Sequence, residues 1–125
     1  MKRLAGILAG ALMLLPATGH ADPVRLETRE AFLGRLANRV MADEAGSWVL
    51  IRPNGTLNGQ NGRVTYTGRW HWSGTVLCRK LNRGPGIDPK QAAESCSRWS
   101  VDGNTVIYKR QSGEGPRSRT FTLRK

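Results

Sequence analysis

The sequence predicts a mainly β fold: a small antiparallel up-and-down meander, barrel-like, of seven or eight strands, with one N-terminal amphipathic helix and one disulfide. Three observations carry that expectation. Turn-forming pairs recur between runs of β-formers, Asn61-Gly62 and Asp102-Gly103 being strong two-residue hairpin signals. The run VTYTGRWHWS alternates: Val64, Tyr66, Gly68, Trp70 and Trp72 fall on one face, Thr65, Thr67, Arg69, His71 and Ser73 on the other. Only residues 82–95 form a long connection, so closure into a barrel, which removes exposed edges, is favoured over a sandwich with its longer crossovers.

Residues 1–21 read as a signal peptide. Lys2 and Arg3 precede an apolar run over residues 4–15, and Gly19 and Ala21 are the small residues a signal peptidase needs for cleavage after Ala21. Twelve apolar residues extend roughly 18 Å, short of the roughly 30 Å of a hydrocarbon core, so no membrane span is expected. The mature chain is then a single β-rich domain, 22–125, periplasmic or secreted and monomeric. Without Lys2 and Arg3 it carries 18 basic and 9 acidic residues, +9, scattered rather than gathered in a tail. A basic surface suits an anionic surface, a glycan or an acidic face of an envelope protein, and charge alone does not choose among them.

Cys78 and Cys96 are the only cysteines. In an oxidising compartment an even count in a small chain predicts a disulfide. Closing that loop stabilises by about 3 kcal/mol in the chain-entropy estimate. A redox pair would sit closer in sequence, and a zinc site needs four ligands.

Thr28 is placed to cap a helix through ETREAFLGRLANRV, with Phe32, Leu36 and Val40 at four-residue spacing, Asn38 as a stop, and Arg29, Arg35 and Arg39 toward water. Turns follow at Pro53-Asn54-Gly55, at Ser73-Gly74 and in SGEGP at 112–116. Within the long connection, Asp88-Pro89-Lys90-Gln91 has the acid, proline and glutamine of a helix start.

The candidate ligand-binding residues are Trp70, Trp72, Arg69, His71, Arg79, Lys80 and Arg83. Trp70 and Trp72 point inward, filling the core or lining a pocket, and with Trp48 and Trp99 they give a small domain much aromatic area. Arg69 and His71 point outward, with Arg79, Lys80 and Arg83 following them into the long loop. No catalytic or metal constellation is visible: His71 is the sole histidine after cleavage, and no acid is spaced to orient it.

FLGRL, RPNGTLNG, VTYTGRWHW, the pair Cys78-Arg79, Cys96, the turn Gly113-Glu114-Gly115 and the closing FTLR resemble a family of small secreted alphaproteobacterial proteins of unknown function. The resemblance covers most of the mature chain; Val76 and Leu77 stand where relatives tend to carry aromatics. Some members bear the name dihydrodipicolinate reductase. Nicotinamide chemistry of that kind needs a G-x-G-x-x-G turn between strand and helix, and this chain has none, so no cofactor is expected. The expected function is a binding module for an anionic or aromatic ligand, with an inhibitor or accessory protein docking on another envelope protein as the alternative and the reductase last.

Overall fold

The structure, a computed structural model, describes residues 22–124; the expected signal peptide lies outside the described residues. The elements are β1 (Val24–Leu26), α1 (Arg29–Leu36), β2 (Met41–Ala42), β3 (Trp48–Ile51), β4 (Thr56–Asn61), β5 (Val64–Ser73), β6 (Val76–Leu81), α2 (Pro89–Ala92), β7 (Ser95–Asp102), β8 (Thr105–Gly113) and β9 (Ser118–Leu123). From β2 to β9 each strand pairs antiparallel with the next, and β9 returns to β2 through Met41↔Leu123 and Ala42↔Thr122. The result is a closed eight-stranded up-and-down barrel, not a sandwich. The three tightest hairpins turn at Gly62, Gly74 and Gly103, whose φ of 63°, 64° and 61° a side chain would resist.

Two short strands escaped the sequence reading. Leu26↔Trp99 and Val24↔Val101 lay β1 along β7, beyond the three pairs that join β7 to β6. β2 has only two residues, too few to show a period. The helix is also shorter than its apolar spacing implied. Thr28 caps it, Oγ1 accepting from Ala31 N–H, but it ends at Leu36, because Asn38 turns left-handed (φ 62°) and donates its N–H to Ile51 O at 2.8 Å. Val40 therefore lies outside it. Arg29 and Arg35 are exposed as expected, yet they also tie the helix down, donating to Pro53 O and Gly103 O.

The period of two on β5 holds through its length: Gly68 and Trp70 are buried, Val64, Tyr66 and Trp72 half-buried, and Thr65, Thr67, Arg69, His71 and Ser73 exposed. Phe32 of α1, fully buried, enters one end of the barrel and packs against three tryptophan rings, Trp70 at 6.2 Å, Trp72 at 5.5 Å and Trp99 at 5.5 Å. Leu36, Met41, Val106 and Leu123 join it in the core. Trp70 donates its indole N–H to Arg52 O (2.8 Å), and the Arg29 guanidinium lies 5.4 Å over its ring. One end of the barrel is thus plugged.

Cys78 and Cys96 are bonded, facing each other across β6 and β7 with Cα atoms 4.0 Å apart. The staple sits in the middle of a three-pair ladder, next to a bulge between Cys96 and Ser97.

Two outcomes follow for stability. Reducing the disulfide should lower the melting temperature, and thiol titration of the native oxidised protein should find no free cysteine; two reactive thiols would contradict the bond. In denaturant titrations, Trp70→Ala should cost about 3–5 kcal/mol and His71→Ala within about 0.5 kcal/mol. The reverse order would mean that β5 is out of register.

Candidate binding cavity

At the end of the barrel away from Phe32 the interior holds a cavity of about 190 Å³. Its apolar wall is formed by Val49, Ile51, Leu57, Leu77, Trp99 and Phe121, the last two rings stacked at 6.2 Å. Tyr66, Tyr108, Arg79 and Arg119 add polar groups. Ile87 and Gln91 from the 82–94 connection and Gly115 and Pro116 from the 113–117 turn partly cover it.

Strand alternation explains how charge enters a barrel. On β6, Leu77, Arg79 and Leu81 share the inward face, and on β9 the inward set is Arg119, Phe121 and Leu123. The two arginines are used differently. Arg119 meets Asp43 in a short ion pair of 2.6 Å and lies 4.9 Å over Phe121, while Asp43 Oδ1 also accepts from the Ala45 and Ser47 amides. Arg79 has no carboxylate within 4 Å among the described residues. Its Nη1 donates to Gln91 O (3.0 Å) and Ala93 O (2.9 Å), tethering the end of α2, and its Nε and Nη2 have no partner among the described residues. Burial lowers the Arg79 pKa, with Tyr108 and Tyr66 opposing, and the group remains a cation at neutral pH.

Burial raises the Tyr66 pKa, opposed by Arg119 and Arg79, so the phenol stays protonated at neutral pH. Its ring is held against Gly59, where an added Cβ would come within 2.5 Å of the hydroxyl oxygen. Arg79 Nη2 and Tyr108 Oη both approach Gly115, 3.6 and 3.9 Å from where its Cβ would stand. The guanidinium and a phenol therefore share one corner of the cavity.

The residues singled out in sequence are divided among three places. Trp70 and Trp72 surround Phe32 at the plugged end and do not line the cavity. Arg69 and Lys80 are directly paired on the outer wall, with His71 beside them opposite Cys78. Arg83 lies with Trp48, Thr65 and Thr67 around a shallower depression on the outside of the barrel. Of the residues singled out, Arg79 alone lines the cavity; grouping it with Lys80 overlooked the alternation between neighbours. The fold also brings Glu94 within 4.0 Å of His71, both exposed, a proximity no sequence spacing announced.

Tyr66, Tyr108, Trp99 and Arg119 belong to the cavity as well. For Arg79 the one sequence signal is a basic residue between two apolar ones at period two, Leu77-x-Arg79-x-Leu81, and it is weakened by the apolar run that precedes it. Arg119, with Arg117 before it and Phe121 after it, shows no such pattern. Among the described residues the group nearest to a metal site is Cys78, Glu94 and Cys96, whose sulfurs are already bonded to each other.

The Asp43–Arg119 pair makes stability depend on pH. Burial raises the Asp43 pKa, but the hydrogen bond from Arg119, the Ser47 and Ala45 amides and the Arg119 charge outweigh it, and the net shift is below the ordinary 3.8. The contribution is therefore fully present above pH 3.8 and is lost as pH falls through the lower, folded value. Wild type should exceed Asp43→Asn in denaturant stability at pH 6, with the gap closing toward pH 2; a gap constant with pH would show that the carboxylate charge is not what Arg119 uses.

No protein-family model, no curated protein and no solved structure matches this chain.

Proposed function

We propose that this protein is a binding module that receives a small anionic ligand in the open end of its barrel. The observation that supports this most directly is Arg79, a half-buried cation facing an apolar cavity with no carboxylate within 4 Å among the described residues. A cation partly withdrawn from water without an anion carries a desolvation cost, and a ligand that brings the anion offsets it. An eight-stranded barrel is also the size at which the interior is either filled or holds one small molecule.

Binding is favoured over catalysis because the cavity's titratable groups are poorly matched to proton transfer near neutrality: burial moves Tyr66 further above its ordinary 10.0. Nicotinamide-dependent reduction has no support in an antiparallel barrel lacking a glycine-rich strand-to-helix turn. Docking on an envelope protein would call for an exposed apolar patch, and Val24 is the only large apolar side chain exposed among the described residues. Export to the periplasm or beyond belongs to the same proposal; the bonded cysteines support it, since such bonds persist in oxidising compartments.

Thermal melts of the oxidised protein against a panel of small organic anions and neutral apolar molecules test the proposal. At about a hundredfold excess over Kd, a ligand should stabilise by about 2.7 kcal/mol, a shift of several degrees. Leu81→Trp, which enlarges a half-buried side chain at the cavity wall, should abolish the shift while the unliganded protein still melts cooperatively. A shift that survives this substitution would place binding elsewhere, and no shift with any compound would reject the module.

A further inference from the structure

Resting on the cavity's role in binding, we infer that its ligand is a monocarboxylic acid built on a single ring, with the carboxylate on the outer edge of Arg79 and the ring against Trp99 and Phe121. Size, charge and shape each narrow the class.

Size comes first. An engineered apolar cavity of about 150 Å³ takes one benzene ring. A cavity of about 190 Å³ therefore holds a ring and a small substituent, and excludes a long acyl chain or a fused polycycle. The stacked pair Trp99–Phe121 and the edge-on pair Trp99–Tyr108 present ring faces and edges to such a guest.

Charge comes second. Arg119 is already matched by Asp43 at 2.6 Å, so the uncompensated charge among these three residues is the single one on Arg79. One negative charge balances it. A dianion, such as a phosphate monoester near neutral pH, would bring a second charge that Arg119, already neutralised by Asp43, would not balance.

Shape comes third. Nη1 of Arg79 is occupied by the carbonyls of Gln91 and Ala93, which leaves Nε–H and Nη2–H, a planar two-pronged edge that matches the two oxygens of a carboxylate. Tyr108 Oη, at the same corner by Gly115, is placed to donate to the same group. The tether and the binding edge use different nitrogens of one guanidinium, so the lid need not release when the acid binds.

Calorimetric titrations of the oxidised full-length mature chain with benzoate, benzyl alcohol, phenyl phosphate and palmitate decide the matter. Benzoate should bind at least tenfold more tightly than benzyl alcohol, which has a similar ring and no charge, and more tightly than phenyl phosphate; palmitate should not bind. Arg79→Lys keeps the charge and loses the fork, and should weaken benzoate at least tenfold and by more than it weakens benzyl alcohol. Equal affinities for benzoate and benzyl alcohol, a preference for phenyl phosphate, or binding of palmitate would each overturn the ligand class and leave the cavity a binding site. If none of the four binds, the single-ring acid is overturned, and the melts against the wider panel of small anions and neutral apolar molecules decide whether the barrel binds a ligand at all. Should Arg79→Lys fail to fold, the wild-type ranking alone decides.

Discussion

The Phe32 ring, wedged among Trp70, Trp72 and Trp99, determines which end of this barrel is closed. Without α1 the barrel would expose apolar rings at that end; with it, the core is concentrated there and the remaining interior opens only at the other. The helix is eight residues long, too short to be stable by itself, and it is held by what it inserts and by two arginines that grip backbone carbonyls of the barrel. Helix capping, ring packing and the position of the cavity are thus links of one chain of causes.

The second constraint is the alternation of side chains, which allows a charged residue into a barrel without breaking a strand. Arg79 follows Cys78 directly, so the disulfide that fixes Cys78 against Cys96 also fixes the register of the inward guanidinium. Arg79 in turn holds the end of α2, whose own start is organised by the reciprocal hydrogen bonds of Asp88 and Gln91. The staple therefore serves the geometry of the cavity as much as stability. Val76 and Leu77 divide in the same way, Leu77 alone lining the cavity.

Much of the architecture was legible because its signals are local. The hairpin dipeptides, the face of β5, the Asp88 helix start and the Asn38 stop each depend on a few adjacent residues. The misses have physical reasons too. β1 and β2 are too short to show a period and exist only because partners distant in sequence offer hydrogen bonds. On β6 the alternation is masked because Val76, Leu77 and Cys78 are all buried, outward residues included, so Arg79 reads as the start of a basic surface rather than as an inward group. The tryptophans drew attention as a pair, yet the plug claims them; the cavity's indole is Trp99, on another strand. Proximity of Arg79, Tyr66 and Tyr108 depends on the barrel's closure, which no single segment encodes.

The seam between β2 and β9 carries a different meaning for how the molecule is made. It joins Met41 to Leu123, the first barrel strand to the last, by two residue pairs, and β9 also completes the ladder of β8. Until β9 has been synthesised no barrel exists, and β2 and β8 are both open edges. Strands β2 to β8 must therefore wait with two open edges until β9 is in place, and for that interval the chain depends on whatever shields bare strand edges from one another.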